Sequence, residues 1–340
     1  MANTPPDPRK NVGFLYWGVE ILLLFLVGMM TAFAPEDSLW VWDLVFLSIT
    51  ALLVVFFAAI GKSLTGRKLG IFINGRNRID LSRFQVVLWT LLILPAYATI
   101  ALERIRWLPL PPLPGNDPLQ ITMDPRLWAL LGISATSLVG TTLTSSEKKK
   151  KEPENKVFKQ MEDKLRIRVE EQLQRPTEVE KIEILSKQRI AGLAAPDENR
   201  QAEIREQVRK DRLNEVLKQS ARPLKEAETL RQGLLAGNGS VDDAKFSNIF
   251  EADEVSGLNV TAAGNQTSIG SYIDISKVQM FFFTIIAICT YAVLLMNQFA
   301  QVLPASMDSF PALSDGLVAI LGISHAGFLG NNAVDHTPHT

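Results

Sequence analysis

The chain is poor in the residues from which most catalytic centres are built. It holds one cysteine and three histidines in 340 residues, and two of those histidines, His336 and His339, fall in a polar tail at 335–340. A lone Cys289 inside an apolar run cannot close a disulfide within the chain or supply a thiolate metal site. A metal-spaced histidine cluster is missing, as are a Walker loop, a glycine-rich dinucleotide turn and a nucleophile elbow. No cofactor, no metal and no enzymatic activity are therefore expected. An excess of charge of either sign is also lacking: 35 Lys and Arg stand against 36 Asp and Glu, a net charge of −1. Basic residues are interleaved with acids, which argues against a nucleic-acid partner.

Charge is also missing locally. It is nearly absent from residues 14–61, 84–102, 127–144 and 278–300, while 145–277 carries most of it. Apolar runs of about 18–25 residues are long enough to cross a hydrocarbon core about 30 Å thick. Six spans are predicted, at 14–33, 39–60, 84–102, 127–143, 278–300 and 316–333. The first is too long for a signal peptide and is followed by Pro35-Glu36-Asp37 rather than a small-residue cleavage site, so it is expected to remain as an anchor. Lys and Arg concentrate after even-numbered spans, with Lys62, Arg67, Lys68, Arg76 and Arg78 after the second and Lys148 to Lys151 after the fourth. That bias places both termini and residues 145–277 in the cytoplasm.

The fold class expected is an all-α membrane protein with a duplicated two-helix unit, spans three–four and five–six, and a cytoplasmic, mainly helical insert. Its parts are an N-terminal hairpin at 1–61, a basic loop at 62–83, a first repeat unit at 84–144, the insert at 145–272, a second repeat unit at 273–334 and the tail at 335–340. A linker rich in proline (Pro109, Pro111, Pro112, Pro114, Pro118, Pro125) separates spans three and four. In the insert, Phe158, Met161, Leu165, Val169 and Leu173, then Ile204, Val208 and Leu217, follow helical spacing in narrow stripes. Breaks are predicted at Pro176, Pro196 and Pro223, loops and short strands over 237–271, and an amphipathic turn at 246–250 lying on the membrane or the bundle.

The duplication is read from two strings. Ile79-Asp80-Leu81-Ser82-Arg83-Phe84-Gln85 and Ile273-Asp274-Ile275-Ser276-Lys277-Val278-Gln279 align without a gap, 194 residues apart from Ile79 to Ile273, and the match continues at Thr90/Thr284 and Tyr97/Tyr291. A second block follows each, at 127–134 and 317–324, ending in Leu-Gly-Ile-Ser both times. Such repetition marks a duplicated supersecondary unit. Ser82 with Gln85, and Ser276 with Gln279, fit a Ser-x-x-Gln capping box at a helix start, so Asp80, Ser82, Gln85, Asp274, Ser276 and Gln279 are assigned to cap and interface. Arg83 and Lys277 are expected to reach lipid phosphates. Gly132, Thr136 and Gly140, with Gly322, Ala326 and Gly330, repeat every four residues and are assigned to close helix packing.

Ionisable and hydroxyl groups inside spans are the sharper functional clues, since burying them is costly. Glu20, Thr90, Tyr97, Thr284, Tyr291 and His325 form the candidate ion or proton route. Glu20 and His325 are candidates for mutual contact, and Asp43 for a pair with Arg104 or Arg106. The alternative for each is plain helix-to-helix bonding. His325 has no counterpart in the first copy, where Ala135 stands.

The strings at 82–90 and 130–134 with their second copies resemble uncharacterised bacterial multi-pass integral membrane proteins. That resemblance covers the repeat units, implies a bacterial inner membrane and brings no activity. Stator-type proton-channel subunits are similar in architecture alone, with a long cytoplasmic helical segment between membrane hairpins. The function expected is a non-enzymatic inner-membrane scaffold or anchor, self-associating, in contact with membrane lipids and docking or sensing a soluble protein. The alternative is an ion- or proton-conducting channel, with the repeat units forming the pore and the insert gating it.

Overall fold

The computed structural model describes residues 8–33, 35, 38–106, 117–193, 196–255, 258–260, 267–269, 272–303, 306–307, 309–337 and 339. They form α1 (Pro8–Phe33), α2 (Leu39–Thr65), α3 (Leu81–Arg106), α4 (Pro125–Lys150), α5 (Asn155–Leu173), α6 (Pro176–Ala191), α7 (Glu198–Leu230), β1 (Leu258–Val260), β2 (Thr267–Ile269), α8 (Ile275–Phe299) and α9 (Asp315–Ala333). Among the described residues four helices, α2, α3, α4 and α8, are long and apolar enough to cross a membrane. Within α1 the apolar stretch among the described residues is Gly18–Phe33, and α9 has 19 residues, with His325, Asn331 and Asn332 in its length. Length and composition thus support four spans where the apolar runs predict six. Most of the proline-rich linker, 107–116, lies outside the described residues; Pro125 opens α4 at a position where its missing N–H costs nothing.

The chain divides into two compact units. Unit 1 comprises Met1–Thr144, Ser240–Phe250 and Asp274–Ala333. Its core runs through α3, α4, α8 and α9, with Trp89, Leu92, Leu127, Leu130, Leu295, Phe299 and Leu321 buried together. A second cluster gathers Ile73, Ile79, Leu81, Ile249, Met280 and Phe328 near the starts of α3 and α8. The turn at 246–250 belongs to this unit rather than to the charged insert. Phe250 meets Phe281 edge-on at 5.1 Å, and Phe84 stacks on Phe281 at 5.7 Å, an aromatic packing that favours association beyond area burial. Arg67 Nη1 donates to the carbonyls of Val241 and Ala244, fixing the segment from its other side. Within the basic loop, Gly70–Phe72 form a 3₁₀ turn, followed by a bridge between Ile73 and Ile79.

Unit 2 comprises Ser145–Gly239, Glu251–Ile273 and Val334–Thr340. Leu165, Val169 and Leu173 of α5 pack on Val216 of α7, with Ile182 of α6 against the same cluster. The apolar stripes in charged sequence therefore fold on each other as antiparallel helices. Pro176 starts α6 and Pro196 precedes α7, but the helix continues through residue 223 where a break is predicted. Buried Ser220 and Leu224 flank that position and keep the helix docked across the lost backbone bond. β1 and β2 pair antiparallel, with Asn259 opposite Ser268.

Candidate functional site

Both repeated strings begin a helix, and in both the capping acceptor is the aspartate. Asp80 Oδ1 accepts from the amides of Ser82 and Arg83 at 3.0 and 3.2 Å, and Asp274 Oδ1 from those of Ser276 and Lys277 at 2.9 and 3.4 Å. Each second carboxylate oxygen accepts from an asparagine, Asn74 in the first case and Asn331 in the second. The serine-led box is displaced because each serine already lies within the first helical turn, where its hydroxyl cannot serve as N-cap. The glutamines are left for other work.

They do different work. Gln85 is fully buried and donates from Nε2 to Thr284 Oγ1 at 2.6 Å, joining α3 to α8, whereas Gln279 is exposed. The cations diverge in the opposite sense. Arg83 is exposed and donates to the Ile73 carbonyl, while Lys277 is buried and so does not occupy the lipid-facing position expected of it.

The α4 and α9 helices run side by side in a parallel register. Ser137 Oγ and His325 Nδ1 share a hydrogen bond of 2.6 Å, and Asn332 donates to Thr144 at 2.9 Å two turns further along. The contact is not made by the four-residue stripe. Gly132, Thr136, Ala326 and Gly330 are exposed, Gly322 meets Ile133 only at ordinary distance, and Gly140 alone approaches closely, an added Cβ there lying 2.8 Å from Leu329. The buried face of α4 is Leu127, Leu130, Ser134, Ser137 and Thr141, a three-four spacing. At 100° per residue, positions two away from Ser134 point to the opposite side of the helix. That spacing was readable in the sequence, yet its polar members disguise it as surface.

The bundle closes as a ring. Ser82 of α3 meets Thr141 of α4 at 3.5 Å, α4 meets α9 through Ser137 and His325, α9 meets α8 through Asn331 and Asp274, and α8 meets α3 through Thr284 and Gln85. Comparison of the chain with protein-family models, curated proteins and solved structures finds no match. What the ring can do rests on its own geometry.

The candidate route does not line up as a continuous file. Thr90 donates to the Val86 carbonyl of its own helix. Tyr97 and Tyr291 donate to the carbonyls of Leu119 and Pro311, the first in the linker that leads to α4 and the second in the linker that leads to α9. Glu20 is buried with Oε1 lacking a hydrogen-bond partner, and His325 is engaged by Ser137 instead. Asp43 Oδ1 is likewise buried without a hydrogen bond, while Arg104 donates to the Gln120 and Met307 carbonyls and so ties the two linkers together.

A second polar centre, in unit 2, was missed by the sequence reading. Lys148 and Glu254 are 3% and 2% exposed and form an ion pair of 2.5 Å. Glu254 Oε2 also accepts from the backbone amides of His336 and Thr337, and Lys148 donates to the Val334 carbonyl. The polar tail is thereby built into the unit. Asp335 pairs with Lys151. Burial opposes its charge, yet the Lys151 hydrogen bond and the charges of Lys148 and His339 hold its carboxyl below the usual aspartate range. Lys148 stood in a four-lysine run that reads as a solvated interface, and no local pattern sets it apart.

Proposed function

We propose that the chain is a non-enzymatic, multi-pass scaffold of a bacterial inner membrane, with a charged helical unit that docks a soluble protein on the cytoplasmic side. In this reading α1 and α9 complete six spans, and the α3–α4 and α8–α9 pairs are two copies of one unit in parallel orientation. The matched aspartate caps, the two tyrosine-to-linker bonds and the α4–α9 register support that pairing. The Lys and Arg bias supports the orientation, and self-association remains part of the proposal.

The observation that carries the scaffold reading is the apolar core of the ring. Beyond the Ser137–His325 level, Trp89, Leu92, Leu130, Leu295 and Leu321 fill the bundle interior, and a close-packed apolar plug offers an ion no partners to replace its hydration. The conducting alternative draws on the polar level alone. Reconstitution of the full chain in liposomes loaded with a pH-sensitive or potassium-sensitive dye tests the choice. Flux equal to that of protein-free vesicles is expected, and robust proton or cation leakage would sink the scaffold reading in favour of the channel.

A further inference from the structure

The polar level of the ring contains acceptors that no protein group satisfies. Gln85 gives its amide to Thr284 and leaves Oε1 buried and unbonded; Ser324, the neighbour of His325, leaves Oγ in the same condition. Both residues are at least nine-tenths buried. A bare buried acceptor keeps its full desolvation penalty, and such atoms are rare in folded proteins.

Their positions are related. The Ser82–Thr141 contact at one end, and the shared packing of Leu127 and Leu130 with Leu92 and Ile100 toward the other, set α3 and α4 antiparallel, so that Gln85 and Ser137 each lie about one turn, about 5.4 Å, inward of the same contact. Ser137 holds His325, which adjoins Ser324. Four helices thus direct neutral polar groups into one level of the bundle.

We propose that this level is a hydration site, in which buried water donates to Gln85 Oε1 and Ser324 Oγ and connects them to the Ser137–His325 pair. Buried waters make about three hydrogen bonds, chiefly to groups that would otherwise go unsatisfied, and the site wants a small donor. The charged residues of these helices lie elsewhere, Arg83 and Lys277 at one end and Glu103 and Arg104 at the other. A neutral lining favours water over an ion, whose burial requires a counter-charge. Entry is one-sided. Ser82 and Thr141 continue the polar lining toward the aspartate caps, whereas Leu130, Trp89 and Leu321 close the other direction. The inference concerns the interior of the ring and stands whether or not unit 2 docks a partner.

The test uses the full chain in lipid nanodiscs with ¹⁵N-labelled glutamine, asparagine and histidine, read by water-edited solid-state NMR. Polarisation from water is expected to reach the Gln85 side-chain amide and the His325 ring as it reaches Asn331 at the mouth. Transfer to Asn331 with none at Gln85 and His325 would overturn the proposal. Thermal unfolding of Ser324→Ala gives a second readout. Loss of a water-bridged hydroxyl lowers Tm by about 2–4 °C, while a raised Tm would mean that the hydroxyl was dry and costly. Replacing sodium and potassium chloride by choline chloride should leave Tm unchanged; a marked drop would assign the level to an alkali cation instead.

Discussion

A glutamine in an apolar bundle is held by what its amide can reach, and Gln85 reaches Thr284 across a helix interface. Truncating it should cost about 1 kcal/mol or somewhat more, the range of interhelical bonds in membranes. Gln279, exposed in the matching string, should tolerate the same change within about 0.5 kcal/mol. Reversible unfolding of Gln85→Ala and Gln279→Ala in detergent checks this, and equal losses would contradict the asymmetry. Sequence showed both glutamines at the same position of two matching strings, so only tertiary surroundings could separate them. The aspartate caps were within its reach, since Asp80 and Asp274 precede their helices by one residue, but the Ser-x-x-Gln pattern competes for the same assignment. His325 was singled out for lacking a counterpart; its partner Ser137 was hidden among several serines and threonines of α4.

Helix existence was legible from apolar runs and from three-four stripes, because both are set by a period of 3.6 residues. Which face packs was less so. In α4 the inward stripe turns polar from Ser134 onward, and Gly132 and Thr136 of the small-residue stripe that stands out to the eye face outward. Proline misled at residue 223 for a related reason: one missing N–H matters less than the burial on either side. The contact of α6 with α7 yields a pH prediction. Hydrogen bonds from Lys181 and Arg212 hold the Glu178 carboxyl below its ordinary range. Its folded pKa is depressed, so the pairing stabilises the contact above the unfolded value of about 4.3 and is lost as pH falls through the folded one. Amide hydrogen exchange in α6 should accelerate over that acid interval more than exchange in α5. In Glu178→Gln the acid step should shrink, and an unchanged step would remove Glu178 as its cause.

At the scale of the molecule, the division into an apolar unit and a charged unit was visible in composition, whereas the chain segments that build each unit were not. Residues 240–250 leave the insert to join the ends of α3 and α8, and Val334–Thr340 joins unit 2. Both exchanges depend on contacts between residues far apart in sequence, which periodicity does not register. The Lys148–Glu254 pair makes the second exchange testable. Removing Glu254 leaves a buried ammonium without its partner, a loss of about 3–5 kcal/mol. Exchange at the His336 and Thr337 amides should then rise by about 100-fold or more in Glu254→Ala. Unaltered protection at those two amides would show that the tail is held by other means.

The same pair bears on the order in which the chain is made. Glu254 and the His336 amide that it accepts are 82 residues apart, and α8 and α9 lie between them. At about 5–20 residues per second of synthesis, a ribosome spends roughly 4–16 s on that interval. During it Lys148 and Glu254 have each other but lack the backbone groups that complete their hydrogen bonding. Unit 2 therefore reaches its finished state only after α8 and α9 have been translated, so its completion waits on the synthesis of two helices that belong to the other unit.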